Sequence, residues 1–162
     1  MTLLKSIDPS KKSSQYRMKV TYLLFSTLRF HKRLQRRGII EGASIDDCVS
    51  GLHIPHEVGL RLFELFTTQV EGKEGGGYSI SKQQKDKLHS YILILYVIAG
   101  GKDMKVASIN QLCKDMNNLD TKSASLLMRE AGFLVKKSAS GDLGASLSVP
   151  ITFPPPRRGK KT

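Results

Sequence analysis

Residues 108–161 read SINQLCKDMNNLDTKSASLLMREAGFLVKKSASGDLGASLSVPITFPPPRRGKK. Ser108 to Met116 has the apolar spacing of a short helix. Asp120 then precedes Thr121 to Ala131, an amphipathic stretch ending at Gly132, which predicts a second helix with an acidic N-cap and a glycine stop. Phe133-Leu-Val-Lys-Lys, Gly141-Asp-Leu-Gly and Ala145-Ser-Leu-Ser-Val predict a strand, a tight turn and a second strand. Helix, helix, hairpin in that order is the sequence shape of a winged helix, a fold most often used to hold a duplex.

Upstream, the same order recurs. Gln15 to Arg37 is helical in period, with Val20, Leu23, Leu24, Thr27, Leu28 and Leu34 as its apolar stripe. Gly38 is its expected stop. Ser44 and Asp47 have the spacing of a capping box with a shortened acid, opening a short helix to Leu52. Ile54-Pro55 breaks the chain. His56 to Thr67 predicts a third helix, buried through Val58, Leu62, Phe63, Leu65 and Phe66. Thr68-Gln-Val, a glycine-rich loop (Gly72, Gly75, Gly76, Gly77) and Tyr78-Ser-Ile-Ser predict a hairpin with a loose tip. A helix beginning at Ser81 is apolar all round from Tyr91 to Ala99, so it belongs in the middle of a core; Gly100-Gly101 ends it. Lys105 to Ala107 adds a possible short strand. Ser44-Ile45 and Leu52 match Ser108-Ile109 and Met116 at equal spacing, a weak internal repeat carried mainly by element order.

The expected fold is therefore mainly α with small β-hairpins (α+β), a tandem winged helix. Its parts are a flexible leader (1–14), a first winged helix (15–81), a second (82–153) and a basic tail (154–162).

The chain has 162 residues, 40% of them hydrophobic, enough for a packed core. Lys and Arg number 26 against 14 acidic residues, a formal charge of +12 that favours a polyanionic partner. Two cysteines, Cys48 and Cys113, fall within amphipathic patterns, and structural zinc usually needs about four Cys or His ligands. No signal peptide is visible, and the run from Tyr91 to Ala99 is far shorter than the roughly 20 residues of a membrane span. A soluble, intracellular, reduced protein is expected.

Four groups of residues carry candidate chemistry. On the helix Thr121–Ala131, Lys122, Ser123, Ser125 and Arg129 are the polar members, placed to meet phosphates or base edges, while Leu126, Leu127, Met128 and Ala131 are expected to face the core. The alternative is an ordinary amphipathic helix with a solvated face. Lys136 and Lys137 on the first wing strand suit phosphate as point charges, or equally protect a strand edge. Arg157, Arg158, Lys160 and Lys161 follow three prolines that hold them extended; they could follow a phosphate backbone, meet an acidic protein, signal nuclear import or serve solubility alone. Arg29, Lys32, Arg33, Arg36 and Arg37 crowd the end of the first long helix, where cations also complement the helix dipole.

Other motifs carry less. His53 and His56 are separated by Pro55 and lack further ligands, so no metal is expected. Gly100-Gly101-Lys102 lacks the first glycine and the hydroxyl residue of a phosphate loop, and Gly72 to Gly77 opens no helix. No nucleophile–base arrangement or carboxylate pair stands out: no enzyme and no cofactor is expected.

Lys85-Asp86-Lys87-Leu88, Tyr91-Ile-Leu-Ile-Leu-Tyr, Leu112-Cys-Lys-Asp-Met, Arg129-Glu-Ala-Gly and Val149-Pro-Ile-Thr-Phe-Pro-Pro-Pro-Arg-Arg form an ordered series. Together they resemble the C-terminal tandem winged-helix domain of the A-forty-nine family, the polymerase-associated factors specific to RNA polymerase I. The resemblance spans roughly Tyr16 to Lys161 and is strongest from Lys85 onward. It implies sequence-tolerant DNA binding near the polymerase cleft, support of initiation and elongation on ribosomal RNA genes, and a nuclear, nucleolar location. It also implies an N-terminal dimerisation domain, for which these 162 residues leave no room. The expected partners are DNA and RNA polymerase I core subunits, with no membrane. The expected contacts are Lys122, Arg129, Lys136 and Lys137, assisted by Arg157, Arg158, Lys160 and Lys161, with Arg33, Arg36 and Arg37 secondary. The competing reading is a protein-interaction scaffold docking on an acidic partner. Cations on one face would favour DNA; scattered charge with an exposed apolar patch would favour a protein.

Overall fold

In a computed structural model, residues 12–37, 39–42, 44–70, 76–100, 103–117, 119–139, 141–147, 151 and 153 are described. The elements run α1 (Lys12–Arg37), β1 (Ile39–Glu41), α2 (Ile45–Ser50), α3 (His56–Phe66), β2 (Thr68–Val70) and β3 (Gly77–Ser79), then α4 (Lys82–Gly100), β4 (Lys105–Val106), α5 (Asn110–Asp115), α6 (Thr121–Glu130), β5 (Phe133–Lys137) and β6 (Leu143–Leu147). The second six repeat the first six in type and order. Each set closes a three-stranded antiparallel sheet whose last strand is central, in the orders β1-β3-β2 and β4-β6-β5. This is an α+β architecture, compatible with a tandem winged helix.

Two expectations shift at the boundaries. The first helix begins at Lys12 and not Gln15, taking in the last residues of the expected leader; the rest of that leader lies outside the described residues. Strand β1 was not anticipated from sequence. Three residues are too few for a legible period, and Ile39-Ile-Glu becomes a strand because Ile40 pairs with Tyr78.

Local chemistry sets the helix ends. Ser44 Oγ accepts from Asp47 N–H and donates to the Asp47 carboxylate, which fixes the start of α2. Ser81 and Gln84 form a reciprocal capping box: Gln84 Oε1 accepts from Ser81 N–H at 2.9 Å, and Ser81 Oγ from Gln84 N–H at 3.2 Å. Gly59 lets α3 rest on α2, since a Cβ there would sit 2.4 Å from the buried Val49 side chain.

The core is continuous through both halves. In the first, Phe30 (α1), Phe63 (α3) and Tyr78 (β3) stack edge to face, with centroids 5.1 and 5.3 Å apart; each such pair adds about 1 kcal/mol beyond its burial. In the second, Ile92, Ile109, Met116, Ala124 and Met128 are fully buried. Helix α4, expected in the middle, is there: it packs on α1, α3, α6 and β4. It runs antiparallel to α1, as Arg17 donates to the Ala99 carbonyl at one end and His31 meets His89 nearer the other. Buried Ser26 and Thr27 on α1 are satisfied by bonding back to the Tyr22 and Leu23 carbonyls.

At the α1–α4 contact lies a buried polar cluster. His31 Nε2 and His89 Nε2 are 3.0 Å apart, and Gln35 Nε2 lies 2.9 Å from His31 Nε2. One ring N–H must donate to the other ring's lone pair, so doubly protonated rings would set N–H against N–H. Burial, then His89 and Lys85, lower His31 to about 4; burial and Lys85 lower His89 as well, against a smaller opposing effect of Asp86. Because both rings are held neutral, the stability they give is present above the ordinary histidine value of about 6.5 and is lost as pH falls toward 4. For His31 the loss amounts to about 3 kcal/mol. Thermal unfolding followed by circular dichroism should show the transition falling steeply between pH 6.5 and 4, and His89→Leu should flatten that dependence.

Candidate nucleic-acid interface

Helix α6 exists because Asp120 caps it. The Asp120 carboxylate accepts from Ser123 N–H at 3.1 Å and from the Ser123 hydroxyl. These bonds, assisted by Lys122, hold its carboxyl below the usual carboxylate range. Ala124 and Met128, one turn apart, are buried. A residue midway between them turns to the opposite side at about 100° per residue. Leu126 is therefore exposed, not core-facing as expected, whereas Leu127 and Ala131 do pack on the core. Lys122, Leu126 and Arg129 form one outward stripe, with a leucine between two cations.

Gly132 turns the chain from α6 into the wing at φ 88°. A Cβ there would also meet Ile151 at 2.6 Å, so only glycine suits the corner. Phe153 lies against the same corner. Lys136 and Lys137 are both exposed on β5, opposite Gly144 and Leu143 of β6. The wing is fixed to the body by a polar clasp: Asp142 Oδ1 accepts from Asn110 Nδ2 at 2.7 Å and from Ser108 Oγ at 3.2 Å, while Asn110 Oδ1 accepts from Leu143 N–H. The Ile109 N–H donates to the Leu143 carbonyl alongside. Thus α6 exposes Lys122 and Arg129, and β5 exposes Lys136 and Lys137, whose side chains leave opposite faces of the strand.

The equivalent surface of the first half is different. Exposed His56, Glu57, Arg61 and Glu64 on α3 set one arginine against two glutamates, and Arg61 pairs with Glu64 at 2.9 Å. His56 Nε2 meets Asp46 Oδ1 at 2.7 Å.

Arg33 does not join the α6 corner. It borders a separate cleft of about 780 Å³ with Arg29, Lys32 and Lys114, between α1, the turn after α2 and the end of α5. Arg29 is partly committed to structure, donating to the His53 carbonyl at 2.7 Å. The side chains of Arg36 and Arg37 lie outside the described residues, as do Arg157, Arg158, Lys160 and Lys161. Lys114 was missed in the sequence because it stands alone on a six-residue helix. Exposed Met18, Tyr22 and Phe25 on α1 were missed too, although their spacing repeats three and four residues out of phase with the core stripe. Cys48 and Cys113 are buried free thiols raised by desolvation, and no group of three metal-binding side chains occurs among the described residues.

A family model described as A49-like RNA polymerase I associated factor matches residues 1–154. No curated protein and no solved structure matches the chain.

Removing the clasp should loosen the wing without unfolding the body. Asp142→Ala leaves the Asn110 amide and Ser108 hydroxyl without their acceptor, a cost of about 1–3 kcal/mol. Hydrogen exchange should then speed up at Leu143–Leu147 while the α1 and α4 amides stay protected.

Proposed function

The chain belongs to the A49-like RNA polymerase I associated factor family, which gives it a role in RNA polymerase I transcription in the nucleus, and from there we propose that it is a non-catalytic component holding duplex DNA through the α6–β5 corner. The observation that carries this reading is the asymmetry between the halves. Lys122 and Arg129 on α6, against Glu130, and Lys136 and Lys137 on β5 stand exposed in the second half, while the matching helix of the first is net acidic. Lysines on a wing and a helix bearing only two cations suit phosphate oxygens better than base edges, so the contact is sequence-tolerant and driven by counterion release. Leu126, between the two helix cations, offers an apolar contact to sugar or base. The expected setting is the nucleolus, where such a contact supports initiation and elongation on ribosomal RNA genes beside the polymerase I core. Arg157, Arg158, Lys160 and Lys161 would extend the phosphate track from the corner reached by Phe153.

Titrating the full chain against an unrelated set of duplexes across salt concentrations tests this. With about four phosphates engaged, log affinity should fall with log salt at a slope near −3.6. Lys122→Ala with Arg129→Ala should reduce that slope by about 2 and weaken every duplex alike. A flat salt response, or a loss confined to one sequence, sinks the reading.

A further inference from the structure

Helix α1 has two unlike faces. Val20, Leu24, Thr27 and Leu34 are buried. On the far side, Met18, Tyr22, Phe25, Arg29 and Lys32 follow the alternating four- and three-residue spacing of a helix-packing seam, and fall within an arc of about 80°. Tyr22 is 55% and Phe25 49% exposed. Over about 21 Å, the seam passes from apolar to basic, with the Arg29 guanidinium over the Phe25 ring at 5.0 Å. Its basic end opens into the cleft of about 780 Å³, where Arg33 and Lys114 add two more cations and Asp115 is the one acid among the described lining residues. Asp115 is itself bonded by Gln111.

We propose that this seam and cleft dock an amphipathic helix of a partner protein whose contact stripe is apolar at one end and acidic at the other. The proposal is independent of the duplex contact at α6. Charge complementarity selects the occupant. A second copy of this chain would bring another +12 to an already basic cleft. The chain's own flanking segments, 1–11 and 154–162, carry a single acidic residue, Asp8, against six lysines and arginines. A single nucleic-acid strand could offer phosphates to the cleft, but apolar side chains at heptad spacing on a convex helix match the ridge of another helix better than a run of bases. A seam four turns long makes a small interface, so the affinity belongs to the micromolar, salt-sensitive class.

The probe is a labelled 21-residue helical peptide, with leucines at three- and four-residue spacing in one half and glutamates at those positions in the other. It is titrated by fluorescence anisotropy against the full chain. Binding should be micromolar and at least about tenfold tighter than for a scrambled peptide of equal composition. Tyr22→Ala with Phe25→Ala should weaken it about tenfold, the scale of anchor residues at an interface. Lys32→Glu with Lys114→Glu should do the same, and Lys122→Ala with Arg129→Ala should leave it unchanged; circular dichroism checks that each variant is folded. Equal binding of peptide and scramble overturns the proposal. So does a single-stranded oligothymidine that binds more tightly than the peptide and is lost with the Tyr22 and Phe25 variants, which would make the seam a nucleic-acid track.

Discussion

The antiparallel contact between α1 and α4 is the constraint on which the rest depends. Each helix opens one of two structurally repeated halves, and each buries one side in its own half and another against its counterpart. Helix α4 is buried on several sides, with Ile92, Leu93 and Val97 fully buried. The buried polar cluster of the α1–α4 contact, His31–His89–Gln35, adds direction: only a pairing that brings those side chains together satisfies them. Any register that separated the rings would leave buried nitrogens unpaired.

From that joint, the two halves diverge in what they offer to solvent. The shared order of elements and the shared sheet pattern place α3 and α6 in equivalent positions. Exposed charge on α3 is net acidic, with Arg61 paired to Glu64, whereas α6 and β5 expose Lys122, Arg129, Lys136 and Lys137. Duplication of a fold thus leaves room for division of labour. The polar clasp of Ser108, Asn110 and Asp142 shows where rigidity has been added: at the wing that bears Lys136 and Lys137. The chain belongs to the A49-like RNA polymerase I associated factor family.

Most of the elements were legible in the sequence because their signals are local. Thr121 to Ala131 carried both a cap and a stop, and α6 occupies Thr121–Glu130. The all-round apolar run at Tyr91–Ala99 announced a central helix, which α4 is. Leu126 was misassigned for a local reason: three consecutive apolar residues cannot all face one way on a helix, and the identity of the outward one is set by which neighbours α4 covers. Strand β1 was invisible because three residues acquire their conformation from Tyr78, far along the chain. The cationic residues of α6 and β5 could be named beforehand, since charge at a helix surface or strand end is written in the residue itself. The Lys114 cleft could not, because its members come from α1, the turn after α2 and the end of α5.

Sequence alone determined the helical periods, the turns at Gly132 and Gly141, the excess positive charge and the two-fold recurrence of helix, helix and hairpin. These depend on steric preferences and spacing within a few residues. Only the tertiary structure decided that His31 meets His89, that Asp142 fastens the wing to α5, and that one α1 stripe is core while a second, ending among arginines and lysines, faces solvent. Burial is a property of the neighbours brought up by folding, and a chain read residue by residue does not contain its neighbours.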